Sequence, residues 1–533
     1  DYDGNVINQD VKNNVSNNNA KDIEYANENL IRYNTSLGNH NLEFLGGYSL
    51  EYHRNDHFWA YVENLPNNNI HELGAGVENK DVSGGAWETA LQSYFTRVKY
   101  NYDDKYMFEF NLRRDGSSRM PEENRFSIFP SFSGGWVLSR EAFMENISFL
   151  SFLKIRGSWG KLGNQEIGRY PYSQTITTGM DYLWGSSLLP GVAVTNLAND
   201  AIKWETTEML NVGLDMNFFD NRLQITGDYF KKHTTDILMQ LPIPGTVGEL
   251  GAPYQNAGIV DNYGWELNLN YKETIEDFRY SAGVNLSSVR NEIMDLAGQE
   301  EIISGRTIDR VGDPMNSYYG YVSMGLFQSQ DEIDQHADQS GLGGAPRPGD
   351  VKYKDISGPD GEPDGVITPE YDRKIIGKQF PDLTYSFNIG AGYKGFNLRA
   401  FFQGIAGVKR QYWLNSSGIG AGLEDWKDYW REDNRDAEFP RFGNQNHNNK
   451  VSTFWMRDAS YLRLKNLELG YTLPDHIIDR LGLSNVRVYF SGYNLLTWSD
   501  VENFDPEKFA SDYRNAQYPN SKVYSIGINV SFQ

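Results

Sequence analysis

Cysteine is absent from the 533 residues, which excludes disulfides and thiol chemistry and suits an oxidising compartment. No run of 18 apolar residues occurs, so no helix of this chain spans a bilayer. Nor does the chain open on a signal peptide. An exported protein carries one, so the expectation is a processed chain or a fragment. Basic residues are scarce: 49 Lys and Arg stand against 71 Asp and Glu, a formal net charge of -22. Phosphate neutralisation needs basic clusters, so a general nucleic-acid binder is excluded. The motifs HExxH, Walker A and GxSxG are also missing, and with them the common hydrolase and nucleotide sites.

What is present is aromatic and small. Hydrophobic residues make up only 39%, yet aromatics reach 14%, with 34 Tyr, 28 Phe and 52 Gly. A soluble globule of this length normally carries more aliphatic core. A membrane barrel with a polar lumen needs apolar side chains on its outer face only. The patterning agrees. Leu210, Val212, Leu214, Met216 and Phe218 alternate with Asn211, Gly213, Asp215 and Asn217. Leu383, Tyr385, Phe387, Ile389, Ala391 and Tyr393 alternate with Thr384, Ser386, Asn388, Gly390 and Gly392. Such segments have one greasy and one polar side as strands. They run to about ten residues or more, the length a tilted strand needs to cross a bilayer, and aromatics crowd their ends.

Strands are predicted to pair as 29–37 with 41–52, 88–101 with 106–114, 126–139 with 152–160, 204–218 with 222–233, 258–272 with 277–290 and 382–393 with 396–405. Strands 461–472 and 484–497 follow, then a last one over 522–532. Within pairs the turns are tight; between pairs the connections are long, notably 53–87, 161–203, 234–257, 291–381, 406–460 and 498–521. Short periplasmic turns and long extracellular loops mark outer-membrane barrels. The fold expected is therefore all-β, an antiparallel transmembrane β-barrel in the cell outer membrane, in contact with lipid. About fifteen strands cannot close in this scheme, since bacterial single-chain barrels have an even number. The chain is expected to be incomplete at its N-terminus, with 1–28 the tail of an extracellular loop and 29–533 the C-terminal part of the barrel.

Several blocks, in order, resemble the SusC/RagA family of TonB-dependent transporters. They begin with Arg113-Arg114-Asp115-Gly116-Ser117-Ser118-Arg119, Asn124-Arg125-Phe126, Phe129-Pro130-Ser131 and Gly134-Gly135-Trp136. Leu153-Lys154-Ile155-Arg156-Gly157-Ser158-Trp159-Gly160 and Trp204-Glu205-Thr206-Thr207 follow. Phe380-Pro381-Asp382-Leu383, Tyr461-Leu462-Arg463-Leu464 and Gly492-Tyr493-Asn494-Leu495 complete the series. The resemblance implies import of a bulky nutrient, an oligosaccharide or sometimes a peptide. It implies a SusD-like surface lipoprotein as lid, and energy from the TonB complex through a plug domain. No residues here match a plug or a TonB box. Both are expected in an N-terminal segment of the same transporter, together with the strands that bring the barrel to about 22.

The sharpest local motif is Asp355 to Thr368, which resembles an EF-hand-type loop with oxygen ligands at alternate positions and a Gly at the turn. Asp364, Thr368, Asp372 and the Val366 carbonyl are the first candidates for Ca2+, followed by Asp355 and Asp360. The alternative is an acidic turn without metal. Aromatics in the long loops, Tyr182, Trp184, Trp413, Trp426 and Trp430, are candidates to stack on sugar rings; the alternative for each is packing between loops or against the lid. No catalytic set is found. A passive porin or adhesin barrel, and a surface glycoside hydrolase working through two carboxylates, remain as the other functional readings.

Overall fold

The computed structural model describes residues 12–248, 250–412, 427–443, 445–478, 482–501, 504–508 and 519–532. Among them fifteen strands form one antiparallel sheet whose order follows the chain. They are β1 (Asn14–Leu37), β2 (His40–Glu63), β3 (Glu78–Tyr102), β4 (Tyr106–Ser117), β5 (Phe126–Val137), β6 (Leu150–Asn164), β7 (Glu205–Phe218) and β8 (Leu223–Thr235). The rest are β9 (Ile259–Ile275), β10 (Phe278–Asp295), β11 (Leu383–Tyr393), β12 (Phe396–Ala406), β13 (Tyr461–Thr472), β14 (Leu483–Ser499) and β15 (Val523–Phe532). The fold is all-β, and the strands expected from alternation are the ones found.

The register explains why the alternation was so regular. Leu267, Leu269 and Tyr271 of β9 stand opposite Leu286, Val284 and Ala282 of β10, while Asn268 and Asn270 stand opposite Asn285 and Gly283. One face is thus an apolar row and the other an amide ladder, in which Asn268 donates to Asn285 and Asn285 to Ser386 of β11. The tight connections are built for hairpins. Asp103 and Asp104 have φ of 56° and 49°, and Lys394 and Gly395 of 44° and 89°. Positive φ at both central positions is the turn that matches strand twist. Gly395 is needed for space as well, since a Cβ there would lie 2.5 Å from the Thr472 carbonyl oxygen. Aromatic pairs flank these turns, Phe396 with Tyr471 at 4.4 Å between ring centroids and Phe278 with Tyr393 at 6.5 Å.

β1, β2 and β3 differ from the expectation in length. They run 24, 24 and 25 residues, about 80 Å at ~3.3 Å per residue, far beyond the 9–11 residues that cross a bilayer. The Asn-rich segment expected to be loop, 1–28, is strand from Asn14 onward, with Asn14 opposite Glu63 and Asn17 opposite Ala60. Asn disfavours strands, but ladder partners override that preference. The connection expected over 53–87 shrinks accordingly to 64–77.

Two compact units are distinguished. The first comprises 1–134, 159–208 and 235–257, and its core is Met120, Phe129, Ile167, Ile202 and Trp204, with Tyr172, Leu238 and Tyr254 packed against it. The second comprises 135–158, 209–234 and 258–533. Its largest core lies in loops: Tyr321, Leu326, Leu342, Val351, Tyr353, Ile367 and Trp430. In both units the long loops carry cores of their own.

Candidate functional site

The sugar-stacking candidates separate. Tyr182 and Trp184 lie on a short hairpin, Tyr182–Trp184 paired with Ser187–Leu189, and their ring centroids are 6.4 Å apart on one face. Both are largely exposed. Trp430 is elsewhere and buried: it packs in the loop core of the second unit, its indole N–H donating to Gln328 Oε1 at 3.0 Å. Its ring face is therefore closed to a sugar. Trp413 and Trp426 lie outside the described residues.

The candidate calcium loop is tied together by its own carboxylates. Asp372 is fully buried. One of its oxygens accepts from the backbone N–H of Ile356 at 2.7 Å and of Ser357 at 3.3 Å, the other from Thr368 N–H at 2.7 Å. Asp364 Oδ1 accepts from Val366 N–H at 2.9 Å, and Asp355 Oδ2 from Gly365 N–H at 2.8 Å. A carboxylate that accepts three N–H bonds has little lone-pair capacity left for a cation. Asp372 is thus committed to the loop's own backbone. Asp360 and Val366 are exposed. The oxygen left open is Asp355 Oδ1, which is buried without a hydrogen-bond partner among the described residues. No group of three or more His, Asp and Glu there is placed to hold a metal.

Polar clusters that alternation does not reveal are closed by distant partners. Arg156 on β6 reaches Asp228 of β8 at 2.6 Å and Asp215 of β7 at 3.2 Å, on the polar face of the sheet. His233 pairs with the buried Asp261 of β9 at 2.5 Å, and Lys231 joins at 2.7 Å. In the loop core, burial pushes the Tyr321 hydroxyl up to about 12, so it stays protonated. None of these clusters assembles a nucleophile with its base. They are structural ion pairs and hydrogen bonds.

A one-order antiparallel sheet with an apolar and a polar face, tight turns at one end and folded loops at the other defines an outer-membrane β-barrel protein. Over residues 1–495 the chain matches the family described as TonB dependent receptor-like, beta-barrel. It is 34% identical over 536 residues to TonB-dependent receptor P3 of Formosa agariphila, covering 95% of this chain and 52% of that protein. It is 27% identical over 527 residues to TonB-dependent receptor SusC of Bacteroides thetaiotaomicron, covering 94% and 49%. A solved structure of the RagAB peptide transporter superposes with a TM-score of 0.81 at 27% identity, covering 97% of this chain and 56% of that one. The chain belongs to the TonB-dependent receptor-like β-barrel family and is SusC/RagA-like within it. It is an outer-membrane protein, and its curated relatives are TonB-dependent receptors, not glycoside hydrolases. The chain spans about half the length of the curated relatives it matches.

Proposed function

We propose that this chain forms much of the wall and the outer loops of an active importer for a bulky nutrient, an oligosaccharide or a peptide. A SusD-like lipoprotein closes the long-loop side, and TonB supplies energy through a plug domain outside these residues. The observation that carries this reading is the pair of packed loop cores, joined to the likeness to SusC and to the RagAB transporter. A passive porin needs loops only to narrow its mouth, whereas a lidded importer needs loops rigid enough to carry a second protein. The test is uptake of labelled oligosaccharides and peptides by cells with the full-length transporter, with and without TonB. Uptake is expected to fall at least tenfold without TonB. Undiminished uptake would establish the passive porin.

Calcium at the 355–372 loop belongs to the same proposal and rests on the buried, unpartnered Asp355 Oδ1, with Asp364, exposed in the same loop, as the second acid. The two acids would share an oxygen-coordinated cation with water. Chelator is then expected to lower the thermal midpoint of the full-length protein by a few degrees, and Asp355→Asn to remove that sensitivity. Identical melting with and without chelator would leave a turn closed by hydrogen bonds alone.

A further inference from the structure

The apolar face of the second unit's sheet carries a hollow of about 430 Å³ beside the tight turns, and cross-strand register explains it. Tyr280, Ala391, Leu398, Leu469, Phe490 and Ile526 stand side by side across β10 to β15. One step nearer the turns, Phe278, Tyr393, Phe396, Tyr471 and Val488 form a second row. Every member of both rows except Tyr280 lines the hollow. Ala391 is the small member of its row, and a methyl group among rings and branched chains leaves the space open. An ion pair stands at the turn-side edge. Lys394 follows Tyr393 in one hairpin turn, and Asp277 precedes Phe278 in the other. Lys394 Nζ lies 3.7 Å from Asp277 Oδ2, with the side chains 61% and 65% exposed. A pair so long and so exposed holds neither group tightly, and both remain open to a further partner.

In an outer-membrane barrel the apolar face meets lipid and the tight turns are periplasmic. The aromatic row therefore lies at the level where the inner-leaflet headgroups begin. Lipid tails are as apolar as leucine, so the hydrophobic effect does not favour one place on this face over another. Selective binding needs close packing of a chain and contacts to its headgroup. Here both are available. The hollow is within the range of about 300–1,000 Å³ typical of small-molecule sites, and its edge offers one ammonium and one carboxylate. That pair complements a zwitterionic headgroup, phosphate toward Lys394 and ammonium toward Asp277. A purely anionic headgroup would meet Asp277 as a like charge. A second copy of this chain suits the place less well, because it would cover the ion pair and bear the cost of desolvating it. We propose that the hollow and the Lys394–Asp277 pair form a binding site for one inner-leaflet phospholipid with a phosphoethanolamine headgroup, an acyl chain packing over Ala391. The site is independent of which nutrient is carried.

The experiment uses the full-length transporter in mild detergent, titrated with palmitoyl-oleoyl phosphatidylethanolamine or phosphatidylglycerol, with bound lipids counted by native mass spectrometry. The unsubstituted protein is expected to retain one phosphatidylethanolamine at a concentration about tenfold lower than phosphatidylglycerol requires. Ala391→Trp fills the hollow and should weaken that binding at least tenfold, while the heat-modifiable migration of the folded barrel is unchanged. Asp277→Asn leaves the hollow intact and should abolish the preference between the two lipids. Lys394→Asn should weaken both, since asparagine tolerates the positive φ of 44° at this turn position but carries no charge. These two variants alter exposed side chains only, so they carry the test if Ala391→Trp fails to fold. Equal retention by the unsubstituted protein and Ala391→Trp overturns the proposal. So does the absence of any preference between the lipids in the unsubstituted protein. Release of a second transporter copy by Ala391→Trp, with lipid retention unchanged, also overturns it and assigns the hollow to contact between copies.

Discussion

Replacing Arg463 by methionine is expected to destabilise the packing of residues 504–508 and 519–520 against β13 by about 3–5 kcal/mol, the usual cost of removing one partner from a buried ion pair. The Arg463 side chain is 4% exposed and its Nη2 lies 2.7 Å from Asp505 Oδ1, its Nη1 3.0 Å from Glu507 Oε2. Lys465 sits 2.7 Å from Glu507. The Asn520 backbone N–H donates to Asp505 Oδ2 at 2.7 Å, and its side-chain amide donates to Glu507 at 2.6 Å. Without Arg463, Asp505 stands in a buried place with no cation. Hydrogen exchange over 499–508 should then rise well above that of the unaltered protein. Adding Asp505→Leu and Glu507→Leu should recover most of the loss, since apolar replacement of a whole buried ionic group is often neutral.

The same cluster sets an acid limit. Burial pushes the Asp505 carboxyl up, but Arg463 and the N–H groups of Asn520 and Glu507 outweigh it and hold the carboxyl below its ordinary value. A depressed folded-state value means that the contribution is fully present above the unfolded value of about 3.9 and is lost as pH falls through the folded one. Protection of this connection should therefore be level from neutral pH to about 4 and drop below it.

Much of the sheet was legible because the physics is local. Period-two alternation and turn chemistry require no knowledge of distant partners, so β7, β8, β11 and β12 emerge within two residues of their ends, while β9 and β10 run three and five residues further at their C-terminal ends. The upper halves of β1 to β3 were not, because no bilayer imposes alternation there. Ser16, Asn17, Asn18 and Asn19 of β1 are strand only through the residues opposite them. Loop chemistry was less legible still. Asp372 was a candidate ligand in an acidic loop, and its oxygens accept from three backbone donors that the sequence does not reveal. Trp430 reads as a loop aromatic and is a core residue, because the loops fold around cores of their own. Tyr182 and Trp184 were visible as exposed aromatics, and only the register showed that Leu183 and Leu188 make the opposite face apolar as well.

The second unit's loop core should open when Asp350 is replaced by alanine, with a local loss of about 3 kcal/mol. Asp350 is fully buried. It accepts from Arg347 N–H at 2.9 Å and Asn448 Nδ2 at 3.0 Å, and Arg441 Nε lies 2.8 Å away. Asn448 in turn accepts from Val351 N–H at 2.9 Å, and its carbonyl takes the Trp455 indole N–H at 2.7 Å. Asp350 thus ties Val351–Tyr353 to residues 441–455. Asp350→Asn keeps the acceptor oxygen and should lose less. His447 gives this core a pH dependence of its own. Its Nε2 lies beside the Gln339 side-chain amide and 3.3 Å from the Val351 carbonyl, to which that amide also donates at 2.9 Å. Burial holds the imidazole below its ordinary value, with Lys450 and Arg441 acting the same way and Asp350 against them. The unfolded loop therefore binds a proton that the folded loop refuses. Stability is complete above the unfolded value of about 6.5 and declines below it, by at most ~1.4 kcal/mol per pH unit, until the folded value is passed. Removing Asp350 takes away the group that favours the charged ring, so the decline should extend to lower pH in Asp350→Ala. Limited proteolysis at pH 7.5 and 5.5 reads both effects, with cleavage expected between 321 and 353 or between 427 and 460. Equal resistance at the two pH values in the unaltered protein and in Asp350→Ala would show that neither His447 nor Asp350 holds this core closed.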